Sequence, residues 1–131
     1  MQRVLKAYVV TLGMTSLVLM LLTGTCWGQL DAVRVNEIMT SSSKGVTDPS
    51  GEYCDWIELY NDSSAAVDIG GCYLSDKSSQ LQKWQFPSPL MIPAKGYLLV
   101  YANDSEQASP VDGPFQTNFN LSKSGEYLAL I

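Results

Sequence analysis

The chain reads as an all-β domain built from two packed sheets. From Ala32 onward its apolar residues alternate or fall in short runs, and Gly, Pro, Asn, Asp and Ser interrupt them every few positions. No window holds the three-and-four spacing of an amphipathic helix. Seven or eight short strands at this spacing suit a β-sandwich, and 131 residues leave room for one such domain behind a targeting segment.

The elements follow in order. Val33 to Met39 is the first strand, ended by a loop from Thr40 to Glu52 that carries Ser41-Ser42-Ser43, Asp48-Pro49 and two glycines. Asp55 to Tyr60 is the clearest strand, because a period of two puts Ile57 and Leu59 on one face and Trp56, Glu58 and Tyr60 on the other. Asn61 to Ser64 turns the chain. Val67 to Ile69 and Cys72 to Leu74 are short strands parted by Gly70-Gly71, a pair suited to a corner. Lys83 to Phe86 alternates until Pro87 stops it. Leu90 to Ile92 leads through the turn Pro93 to Gly96 into Tyr97 to Tyr101, which is apolar on both faces and therefore central. Turn residues return from Asn103 to Pro114. The last strands are placed around Phe119 to Leu121 and Glu126 to Ile131, joined as a hairpin by Ser122 to Gly125.

The front of the chain has the order of an export signal. Arg3 and Lys6 precede an uncharged apolar run, Ala7 to Leu22, and small residues follow where a signal peptidase cuts. Residues 1–28 are assigned to the signal, with cleavage after Gly28, and residues 29–131 to the sandwich. Cleavage after Thr25 is the second candidate. Two other readings are an uncleaved anchor and a lipidated Cys26, although Thr25 stands where a lipobox has Gly or Ala. All four place the folded part outside the cytoplasm, secreted or at the cell surface.

With the signal gone, two cysteines remain, and Cys54 with Cys72 is the candidate disulfide in an oxidising compartment. Such a bridge contributes about 3 kcal/mol if the two Cβ atoms meet. The alternative is two small buried hydrophobes.

The net charge of −5 comes from 8 basic and 13 acidic residues, and Lys44, Lys77, Lys83, Lys95 and Lys123 are scattered singly. Nucleic acid and anionic lipid both select clustered bases, so neither is an expected partner, and no membrane contact is expected once the signal is removed.

The ordered pieces Asn36-Glu37-Ile38-Met39, Asp55 to Asn61, Gly71 to Asp76, Trp84-Gln85-Phe86-Pro87, Ile92 to Tyr97 and Asn118 to Glu126 resemble the lamin tail domain in its bacterial, exported form. The resemblance runs from Val33 to Ile131. It implies an immunoglobulin-like β-sandwich with Trp56, Trp84 and Phe86 as core anchors and no catalytic set. It implies no filament assembly, because this chain lacks the heptads that lamins use. The family pattern continues past Glu126 with a further turn and a closing strand, so the resemblance also implies either a piece of a longer protein or a domain lacking its last strand, whose open edge could add a strand from a second copy.

The chain has no histidine, which removes His-activated nucleophiles and most catalytic zinc sites. Glu37, Asp55, Glu58 and Asp76 are the remaining carboxylates that could act as acid, base or ligand. Asp55 and Glu58 point to opposite faces of one strand and cannot act together. Asp48 to Glu52, with Asp55, is a candidate structural calcium loop without the alternating ligands of an EF-hand; otherwise it is a turn. No other cofactor is expected. Asn61, Asn103 and Asn120 open N-x-S triplets, which arise by chance in a chain this rich in Ser and Asn. Tyr53, Tyr60, Tyr73, Tyr97, Tyr101 and Tyr127 supply either core or a contact patch.

The function these features favour is non-catalytic: an adhesion or tethering module outside the cell that binds a protein or a surface polymer. The alternative is the accessory domain of a larger secreted enzyme.

Overall fold

The computed structural model describes residues 30–41 and 43–131. The signal assignment, Cys26 and Gly28 lie outside the described residues.

Nine strands follow a short 3-10 turn, Leu30–Ala32. They are β1 (Val33–Met39), β2 (Asp55–Asn61), β3 (Val67–Asp68), β4 (Tyr73–Ser75), β5 (Trp84–Gln85), β6 (Met91–Ile92), β7 (Tyr97–Ala102), β8 (Phe115–Thr117) and β9 (Ala129–Leu130). One sheet has the order β1-β2-β7-β8, a second β5-β4-β9, and β3 with β6 forms a two-stranded piece. Ile57, Leu59, Val100 and Phe115 of the first sheet share one core cluster with Leu74 and Leu130 of the second, and with Val67 and Ile92 of the small piece. The chain is thus an immunoglobulin-like β-sandwich.

Strand alternation builds the inner face. Ile57 lies opposite Val100, and both are fully buried, as is Leu59. Burying each such side chain stabilises the fold by about 1.5–3 kcal/mol. In β1 simple alternation would turn Ile38 away from the core. A bulge between Val35 and Glu37 inserts Asn36 as an extra residue, so that Val35 pairs with Leu59 and Ile38 with Ile57, and both pack against the core. Asn36 then donates from Nδ2 to Glu58 Oε1 at 2.7 Å. The Asn36-Glu37-Ile38 motif is therefore the sequence of a bulge.

The central position of β7 agrees with its apolar sequence, since it runs antiparallel to β2 and parallel to β8. At the Gly70-Gly71 corner, Cys72 N donates to Ile69 O at 3.0 Å, and Gly71 has φ 84°. A Cβ on Gly70 would lie 2.9 Å from Ser88 Cα, so both glycines are required.

Two expectations fail at the C-terminal end. The strand is Phe115–Thr117 rather than Phe119 to Leu121, and no hairpin joins it to β9. Instead the chain crosses between sheets, with β8 beside β7 and β9 beside β4. Phe119 and Leu121 are buried all the same, as plugs in the crossing segment. The Ser122 to Gly125 turn is closed by the Glu126 carboxylate, which accepts from Ser122 N.

The anchors also differ. Trp84 and Phe86 meet edge to face in the core, with ring centroids 4.6 Å apart. Trp56 is buried but outside the core cluster, because alternation turns it to the opposite face of the first sheet, between Met39 and Tyr101.

Candidate binding face

The first sheet has its inner face in the core, and its outer face gathers aromatic and charged side chains. Alternation sends Arg34, Glu58, Tyr60, Tyr97, Leu99 and Tyr101 to that side. Tyr60 and Tyr97 are cross-strand partners whose ring centroids lie 4.7 Å apart with a 35° tilt. The Arg34 guanidinium sits 4.9 Å above the Tyr60 ring. Aromatic and cation–π contacts of this kind are each worth about 0.5–1.5 kcal/mol, enough to hold the rings in place. Tyr97 nevertheless remains 58% exposed.

Charges frame one end of this ring pair. Asp62 takes Arg34 Nη1 at 2.9 Å on one carboxylate oxygen and Lys95 Nζ at 2.8 Å on the other. The hydrogen bond from Lys95, its charge and that of Arg34 hold the Asp62 carboxyl below its usual value of 3.8. The same hydrogen bond raises Lys95. The face therefore offers a tilted pair of aromatic rings beside fixed donors and an acceptor, which suits a ligand having apolar C–H surface and polar groups at its edge.

The other acidic candidates serve the scaffold. Asp48 Oδ1 accepts from Ser50 N, Ser50 Oγ and Glu52 N, and its Oδ2 accepts from Asn103 Nδ2 at 3.0 Å. The Ser50 hydroxyl, opposed by desolvation and helped by Asn103, keeps Asp48 below 3.8. Asp55 accepts from Ser41 N and Leu121 N, tying the long loop and the crossing segment to the start of β2. Among the described residues no group of three or more His, Cys, Asp or Glu side chains is placed to hold a metal ion. Asp76 pairs with Lys83 at 2.7 Å in a partly buried ion pair. Glu37 lies opposite Glu58 in register, on the open sheet surface, with Glu37 exposed.

The candidate disulfide is corrected. Cys54 is a free thiol and Cys72 is bonded elsewhere. Cys54 precedes the first residue of β2, whereas Cys72 N donates to Ile69 O, Ile69 N donates to Leu90 O, and Ile92 O, two residues on, accepts from Asn61, the last residue of β2. A strand of this length covers roughly 20 Å, three times the Cα separation a disulfide tolerates. Burial, reinforced by Asp48 and Asp55, pushes the Cys54 thiol up to about 11.

Asn61 is the expected turn residue, and it is also fully buried. Its Nδ2 donates to the carbonyls of Ala65, Ile92 and Pro93, and its Oδ1 accepts from Ser63 N and Oγ. The Asn-Asp-Ser triplet is thus an Asx-turn that locks one end of the sandwich, and no glycan fits on it. The signal was a polar residue ending a strand of buried neighbours. Of the other two triplets, Asn103 is half-buried and bonded, and Asn120 is exposed.

Among the described residues no helix is long and apolar enough to cross a membrane. Neither a curated protein nor a solved structure matches the chain. The family model described as Lamin Tail Domain matches residues 29–131, most of the chain's length, and over the segments that carry the bulge, the β2 signature and the Gly70-Gly71 corner the chain belongs to that family.

Proposed function

We propose that the chain is a non-catalytic binding or tethering module that works outside the cytoplasm, with the outer face of the β1-β2-β7-β8 sheet as its contact surface. The observation that carries this reading is the Tyr60–Tyr97 pair, braced by Arg34 and with Tyr97 open to solvent, on a sheet whose other face packs against the core. Family membership supports a non-catalytic role. The charged start and apolar run of residues 1–28 support export. A ligand meeting two fixed rings and the Arg34-Asp62-Lys95 charges would be a surface polymer or an extended protein segment.

The test is retention of the purified secreted chain on isolated cell envelopes, beside assays for turnover of polysaccharide, phosphoester and peptide substrates. Retention without turnover is expected. Turnover that disappears in Glu58→Gln or Glu37→Gln would overturn the reading.

A further inference from the structure

β1 is a terminal strand of the first sheet, seven residues long, and among the described residues nothing pairs along its outer edge. The other edges are closed or short. Along β8, Ser105 N donates to Thr117 O at 2.8 Å, and the Ser109 hydroxyl donates to Gln116 O and accepts from Gln116 N. β5 and β9, which end the second sheet, are two residues each. We propose that a second copy of the chain occupies the β1 edge: the two β1 strands pair antiparallel about a two-fold axis, Val35 of each opposite Ile38 of the other, with Arg34 of each beside Glu37 of the other. This goes beyond the reading above and holds whichever ligand the outer face takes.

The backbone of β1 sets the register. Asp62 N donates to Ala32 O, so Ala32 and Arg34 turn their backbone groups to β2, while Val33 and Val35 turn theirs outward. On β2 the residues turned to β1 are then Tyr60, Glu58 and Trp56. Past the bulge their partners are Glu37 and Met39, so Ile38 also points outward. Placing Val35 opposite Ile38 of the other copy lets these outward groups exchange hydrogen bonds, twice by symmetry.

The side chains suit the same register. Val35 and Ile38 pack against the core yet are only half-buried, and the facing Ile38 or Val35 covers the remainder. The bulge brings Arg34 and Glu37 to one face, where they lie opposite Tyr60 and Glu58. Both are exposed. Arg34 holds Asp62 through Nη1, which leaves its other N–H groups to donate, and Glu37 is in no ion pair among the described residues. With Val35 opposite Ile38, Arg34 lies diagonal to Glu37 of the other copy, within reach of a long side chain. The edge is therefore complementary to itself. Joined in this way, two copies present their Tyr97 rings on one continuous sheet, and two ligand contacts act together.

The test is sedimentation velocity of the purified secreted chain over a concentration series, with the melting temperature of every variant recorded. A concentration-dependent dimer is expected. Arg34→Glu alone and Glu37→Arg alone should each raise its dissociation constant at least about tenfold, because each sets like charges together twice. The double variant Arg34→Glu/Glu37→Arg should restore the dimer, and an equimolar mixture of the two single variants should form a mixed one. In the parent chain, hydrogen exchange at the Val35 and Ile38 amides should slow as the concentration rises. A chain that stays monomeric at every concentration, a dimer indifferent to both single reversals, or single reversals that neither the double variant nor the mixture rescues would overturn the proposal. So would Val35 and Ile38 amides that exchange equally fast in monomer and dimer.

Discussion

Replacing Asn61 by Ala should destabilise the domain more than any other single polar change. The buried amide satisfies the Ile92 carbonyl in the interior, and the Ala65 and Pro93 carbonyls and the Ser63 N–H nearer the surface. Stranding one buried group costs about 1–3 kcal/mol, and the partly buried ones recover some of their loss by bonding water. The sum is about 3 kcal/mol, which for a domain of this size lowers the melting midpoint by roughly 12–24 °C. Urea titration followed by tryptophan fluorescence, with Trp84 as a core reporter, and thermal circular dichroism both measure it. Asn118→Ala is the control, since Asn118 is exposed and gives one hydrogen bond, to Lys83 O. Asn61→Asp should be worse than Ala at neutral pH, because it points a carboxylate at three carbonyl oxygens, and should recover as the pH falls. A cost for Asn61→Ala under about 0.5 kcal/mol, equal to that expected of a surface change, would refute the reasoning.

Other outcomes follow from the same geometry. The Cys54 thiol, raised to about 11, should resist alkylation at pH 8 in the folded chain and react on unfolding, as a time course with iodoacetamide would show. Its folded value lies above its ordinary 9.0, so its contribution to stability is complete below pH 9 and is lost as the pH rises through 11. Asp48 has the opposite sign. Its depressed value gives stability that is present above pH 3.8 and lost as the pH falls through the folded value, and Asp48→Ala should remove that acid limb from a plot of melting temperature against pH. Removing calcium with a chelator, or adding it at millimolar levels, should leave the melting temperature unchanged, since the oxygens of Asp48 and Asp55 already accept internal hydrogen bonds.

Much of this was legible in the residues. Strands β1, β2 and β7 are long enough for their period of two to show, and the glycine corner and proline turns mark themselves. The rest depended on contacts between distant parts of the chain. Phe119 and Leu121 look like a strand because they are apolar and alternate, but burial in a crossing segment demands the same pattern. The period of β2 placed Trp56 on the outer side correctly, while its size suggested the core. The cysteine pairing failed because spacing says nothing about which end of a sandwich each residue reaches. The binding face lay half in view: Glu58 and Tyr60 shared a side from the start, whereas the approach of Tyr97, Arg34 and Lys95 required the register of three strands.

The most direct measurement is the affinity of the secreted chain and of its Tyr60→Ser/Tyr97→Ser variant for isolated cell envelopes, by co-sedimentation with both melting temperatures recorded. A loss of retention by at least about tenfold, the equivalent of about 1.4 kcal/mol, with the fold intact is the result expected of a face that binds through these rings. Equal retention by the two proteins would contradict it.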